Sequence, residues 1–183
     1  MVNISKLKSA LNKLSDGTIV LLETTADKSF ETALASLAYM TSNSDNGIII
    51  SASRPYVNLM KVFQKNKINT SRIFILDLIS KSQAADVDAN NVMYLDNVSS
   101  LTNISLAIND CIKKIPGKKF VFIDSITTML IHNEPYVFAR FIHSILTRMR
   151  IHGVDGILVS LEDKTNREIR AEIAQLCDKV IKI

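Results

Sequence analysis

Seven short runs of apolar, largely β-branched residues recur along the chain, and longer stretches with helical spacing separate them. The runs are TIVLLET from Thr18, GIIISAS from Gly47, RIFILDL from Arg72, NVMYLD from Asn91, KKFVFIDS from Lys118, DGILVSLE from Asp155 and DKVIKI from Asp178. Each has strand length and is bounded by Gly, Asp, Asn or Ser. Between them, sets such as Phe30, Ala33, Leu34, Leu37 and Ala38, or Val137, Phe138, Phe141, Ile142, Ile145 and Met149, each place one apolar stripe on a helix. Strands apolar on both sides, alternating with one-sided helices, predict an α/β fold of three layers: a mainly parallel sheet with helices on both faces.

A chain of 183 residues, 47% hydrophobic and 22% charged, is long enough for one sizeable core and too short for two, so residues 1–183 read as a single domain. Residues 1–16 read as an amphipathic helix, with Ile4, Leu7, Leu11 and Leu14 on one stripe and Lys6, Lys8 and Lys13 elsewhere. A helix docked on the domain accounts for them better than a membrane anchor, and no apolar run reaches the roughly 18 residues that span a bilayer. The formal charge of +4 comes from scattered lysines, which describes a solvated surface rather than a nucleic-acid footprint. Arg140, Arg148, Arg150 and His152 put positive charge on one helix, the best nucleic-acid candidate in the chain. Cys111 and Cys177 sit among aliphatics as two buried reduced thiols, which fits a cytoplasmic setting.

Ligands of open α/β sheets bind beyond the carboxyl ends of the strands. At those ends this sequence carries Glu23 to Glu31, Ser51 to Pro55, Asp77, and Asp124 with Ser125. An acid closing an apolar strand, as in FVFIDS, meets the need of a magnesium site for a carboxylate at the sheet edge; it equally serves as a cap for the loop that follows. His132, His143 and His152 do not share a helical phase that would make a metal site, and no nucleophile elbow of the form G-x-S-x-G is present.

The order of these pieces, strand, phosphate-loop position, helix, then an apolar strand ending in Asp-Ser with Thr-Thr following, resembles the KaiC-like branch of the RecA-superfamily ATPases. That branch includes archaeal proteins implicated in signal transduction. The resemblance extends over GIIISASRPYVNLMKVFQKNKINTSRIFILDLIS, VSSLTNISLAI, KKFVFIDSITTMLIHN, VFARFIHSILTRMR and GILVSLEDKTNREIRAEIAQLCDKVIKI, nearly the whole chain. It implies a RecA-like P-loop NTPase fold.

At the phosphate loop the chain departs from that family. The family pattern G-x-x-G-x-G-K-[ST], laid without gaps on the strand and helix, puts its glycines at Thr24, Asp27 and Ser29, its lysine at Phe30 and its hydroxyl residue at Glu31. Glycines there let successive backbone N–H groups converge on phosphate oxygens. A carboxylate about 4 Å from one phosphate charge costs on the order of 4 kcal/mol at an effective dielectric of about 20. In the first turn of a helix without ligand, the same Glu31 is favoured by roughly 0.3–1 kcal/mol. The expected loop is therefore a helix start capped by Asp27 or Ser29, with Phe30 turned into the core. Where the resemblance implies water-polarising glutamates, Ser53 and Arg54 stand instead. No cofactor, metal or catalytic residue is expected on this reading, and the chain reads as a pseudo-ATPase, a regulatory or protein-interaction module with a protein partner or a second copy. An alternative register uses Lys28 and Ser29 as the K-[ST] pair with Asp124, and then ATP and magnesium bind. A second alternative is a DNA-repair accessory of the RecA-paralogue kind. Met129, Leu130 and Ile131 are the expected apolar patch for association.

Overall fold

The computed structural model describes residues 4–12, 16–42, 46–162 and 166–183. All seven expected strands form: β1 (Ile19–Thr24), β2 (Asn46–Ser51), β3 (Ile73–Asp77), β4 (Val92–Tyr94), β5 (Lys119–Asp124), β6 (Asp155–Leu161) and β7 (Lys179–Lys182). They make one sheet in the order β4-β3-β2-β5-β6-β1-β7, and every pairing is parallel. The helices are α1 (Ile4–Leu11), α2 (Ser29–Ser42), α3 (Tyr56–Lys65), α4 (Leu101–Lys114), α5 (Ile126–Ile131), α6 (Pro135–Ile151) and α7 (Arg167–Gln175).

The two-residue period of the strands sorts the core into two halves. Ile19, Leu21, Ile48, Ile50, Val121 and Ile123 face one way and are covered by α4, α5, α6 and α7. Val20, Leu22, Ile49, Phe120 and Phe122 face the other way and are covered by α1, α2 and α3. The three expected layers are thus present. No helix among the described residues is long and apolar enough to cross a membrane. Within the described residues the N-terminal helix spans Ile4–Leu11, with Leu7 and Leu11 buried on the face that α2 covers, while Leu14 and the side chain of Ile4 lie outside the described residues.

One expectation about the surface is corrected. Met129 and Leu130 are buried in the core and only Ile131 is exposed, because the short α5 lays that turn onto α6 rather than presenting it. On the basic face of α6, Arg148 donates to the hydroxyl of Ser105 at 3.2 Å, and Arg150 reaches the carbonyl of Leu176 and pairs with the carboxylate of Asp178.

One glycine is fixed by packing. A Cβ on Gly47 would lie 2.7 Å from Cζ of Phe120, a wholly buried ring. Overpacking of this kind costs roughly 1–3 kcal/mol. Gly47→Ala should lower the unfolding free energy obtained from urea denaturation by that amount, and Phe120→Leu in the same chain should recover part of the loss.

Candidate functional site

The chain leaves β1 and returns as β2 three places along the sheet, with β6 and β5 between them. This crossing gathers the carboxyl ends of β1, β6, β5 and β2 along one edge, where ligands of open α/β sheets bind. A cleft of about 300 Å³ opens there, among Phe30 and Ser29 of α2, Ser53 and Arg54 after β2, and Asp124 and Ser125 after β5.

The loop from β1 into α2 is a tight turn. The Lys28 N–H donates to the carbonyl of Thr25 at 3.1 Å, and the Thr32 N–H donates to the carbonyl of Lys28 at 2.9 Å, which starts the helical ladder. Thr24 is fully buried, with its hydroxyl 3.4 Å from that of Thr32, so the strand end is closed onto the helix. No residue from 24 to 31 has a positive φ. A backbone nest that cradles an anion needs left-handed residues among right-handed ones. Glu31 occupies the first turn of α2.

The expected caps take other roles. The Ser29 hydroxyl donates to the carbonyl of Ala26 at 3.0 Å rather than accepting from the helix. The exposed Asp27 carboxyl, with the Thr25 side chain beside it, is held below its ordinary range, while the buried Thr25 hydroxyl makes no hydrogen bond of ordinary geometry. Phe30 corrects the sequence reading more sharply, since its side chain is 39% exposed and does not enter the core. Its ring lies under the Arg54 guanidinium, 4.2 Å from centroid to Cζ. A cation over an aromatic face at an exposed site contributes about 0.5–1 kcal/mol.

Asp124 closes β5, and the peptide bond that follows it is cis. Its Oδ2 accepts from the Ser53 hydroxyl at 2.7 Å. Burial raises its pKa, while the Ser53 hydrogen bond and the Arg54 charge partly oppose that rise. Ser125 is the N-cap of α5, its hydroxyl accepting from the Thr128 N–H at 3.2 Å. The hydroxyl of Thr127 accepts from the Leu161 N–H at 2.9 Å and ties α5 to the end of β6.

Asp77, weighed from the sequence as a site carboxylate, is wholly buried and committed elsewhere. It accepts from the Tyr56, Ile79 and Ser80 N–H groups at 2.6, 2.8 and 2.9 Å and from the Ser80 hydroxyl. It clamps the turn after β3 to the start of α3. The run Asp77 to Ser80, an acid three residues before a serine at a strand end, is the local signal for such a clamp. Burial pushes the Cys111 and Cys177 thiols up to about 11 and about 12, so both stay protonated and unreactive near neutrality.

A sequence model of the family described as "ATPase: KaiC" matches residues 32–183, starting just beyond the loop. No curated protein gives a significant match. Solved structures similar to this chain include an uncharacterized protein of Pyrococcus horikoshii in complex with an unknown peptide, at TM-score 0.74 and 13% identity, covering 97% of this chain and 82% of that one. A KaiC-like protein of the same organism gives TM-score 0.63 and 17% identity, with 91% and 71% covered. The flagellar accessory protein FlaH of Methanocaldococcus jannaschii gives 0.67 and 11%, with 100% and 78% covered. At these identities the likeness is one of fold, the RecA-like α/β fold anticipated from the sequence.

The raised pKa of Asp124 makes a signed prediction. The folded state holds the Asp124 proton more tightly than the unfolded chain does. Its contribution to stability is full below the unfolded value near 3.8 and is lost as pH rises through the raised folded value. Asp124→Asn should therefore raise the melting temperature at neutral pH and flatten the acid side of the stability profile. Ser53→Ala should destabilise the wild type by about 1–2 kcal/mol and the Asn variant by less, since hydrogen bonds to charged groups are the stronger ones.

Proposed function

This chain belongs to the KaiC family of ATPases, and we propose that it is a member that neither holds nor hydrolyses nucleotide and acts as a regulatory, protein-binding module. The observation that carries this reading is the Arg54 guanidinium seated on the Phe30 ring. Aligned on the family pattern, Phe30 stands at the phosphate-binding lysine and Arg54 at a water-polarising glutamate. The two replaced positions pack on one another across the place a terminal phosphate would need.

Three further features support the reading. The loop lacks the left-handed residues from which a phosphate nest is made, and one of its amides, that of Lys28, is already donated to Thr25. Glu31 adds a carboxylate to the first turn of α2, where a triphosphate would bring like charge. Asp124, the residue best placed to meet a magnesium ion, accepts from Ser53, so one of its oxygens is already engaged. The residues present do not fit magnesium-bound ATP. Protein binding is the activity to test first: one structural neighbour was solved with an unknown peptide and another is named as a flagellar accessory protein. The protonated thiols suit a reducing, cytoplasmic setting.

The test is thermal melting with and without ATP and magnesium at millimolar concentration. A ligand raises the transition only through its affinity for the folded state, so the expected shift is nil. Lys28→Ala should leave the result unchanged. Replacing the loop as a set, with glycine at Thr24, Asp27 and Ser29, lysine at Phe30 and threonine at Glu31, should produce a nucleotide-dependent rise if the fold survives. A rise in the wild-type protein, abolished by Lys28→Ala, would reverse the reading and make Lys28 and Ser29 the phosphate contacts.

A further inference from the structure

A second hollow, of about 680 Å³, runs along α3 and the loop after it, away from the cleft at the sheet edge. Tyr56, Val57, Met60 and Ile68 give it an apolar wall, Lys61 and Lys67 give it positive charge, and no acidic residue lines it. Lys67 sits just past the helix with φ 54°, a left-handed position where glycine or asparagine is the usual occupant. The turn is held by the Lys67 N–H on the Gln64 carbonyl and the Ile68 N–H on the Phe63 carbonyl.

Beside the groove stands its chemical counterpart. In the connection between β3 and β4, Asp86, Val87 and Asp88 are all exposed, the valine by 44%. This ridge is anchored rather than loose. The Val87 N–H donates to the Tyr94 hydroxyl at 3.1 Å, and that hydroxyl donates to the Val87 carbonyl at 3.0 Å. The Tyr94 ring meets Tyr56 edge-on with centroids 6.3 Å apart, and the Tyr56 hydroxyl donates to Asn91 at 2.7 Å. Tyr56 is itself a wall of the groove. An apolar residue between two carboxylates and an apolar groove with two ammonium groups therefore lie side by side on one flank, joined through two tyrosines.

A surface that carries both halves of a complementary pair is matched by its own copy across a two-fold axis, where each contact occurs twice. We propose that this flank is the interface of a closed dimer, in which each copy seats Val87 against Val57, Met60 and Ile68 of the other. Asp86 and Asp88 then face Lys61 and Lys67. The apolar contact supplies the central anchor, and the long lysine stems keep their charged ends at the rim. The inference stands on this flank alone and holds whether or not the cleft at β1 and β5 takes nucleotide.

Sedimentation velocity on the full chain tests it, with circular dichroism of every variant as the check on folding. The wild type should run as a dimer that weakens with added salt. Val87→Ser should weaken association about ten-fold. The pair Lys61→Glu with Lys67→Glu should be monomeric, and so should the pair Asp86→Lys with Asp88→Lys. Mixing those two variants should restore a dimer, because both contacts of the mixed species are again opposite in sign. A monomeric wild type, an open series of larger species, a dimer indifferent to both charge reversals, or a mixture that stays monomeric would each overturn the proposal.

Discussion

The crossing from β1 to β2 over two intervening strands is the constraint on which the carboxyl edge depends. Because β6 and β5 lie between them, the helix that follows β1 and the loop that follows β2 arrive on either side of the end of β5. Phe30, Arg54 and Asp124, far apart in sequence, are brought to one cleft by that path alone. A doubly covered parallel sheet holds the path rigid, since β1, β2, β3, β5 and β6 are locked by apolar side chains on both faces. The chemistry at the edge is then decided by few side chains. Here the cation lies on an aromatic ring, and the acid accepts from a serine.

Asp77 and Asp124 show how position in one fold separates two similar carboxylates. Each ends a parallel strand beside β2. Asp77 is surrounded by donors on its own chain and acts as a structural clamp. Asp124 has a single side-chain donor and faces the cleft, where desolvation outweighs the opposing influences of Ser53 and Arg54. An acid at the end of an apolar run is thus no evidence of metal chemistry until its donors are known.

The strands and the three layers were legible because apolar runs bounded by turn residues, alternating with helical stripes, admit few architectures. The departures at Thr24, Asp27, Ser29, Phe30 and Glu31 were legible as absences of glycine and lysine. The Phe30 side chain was misread: its place on the helical stripe with Ala33 and Leu37 argued for the core, and nothing local to the helix shows that Arg54 stands opposite. The caps expected of Asp27 and Ser29 were lost to short-range competition, as small polar side chains bond within their own turn. The partners of Arg148 and Arg150 on α6, Ser105 and Asp178, are not revealed by sequence spacing.

On the proposed function, the loop from Thr25 to Thr32 takes no phosphate. The most direct measurement is a two-dimensional amide NMR titration of the unmodified protein with ATP and magnesium, read at those residues. The account predicts that their resonances stay in place throughout. Saturable shifts confined to Thr25–Thr32 and Asp124 would contradict it.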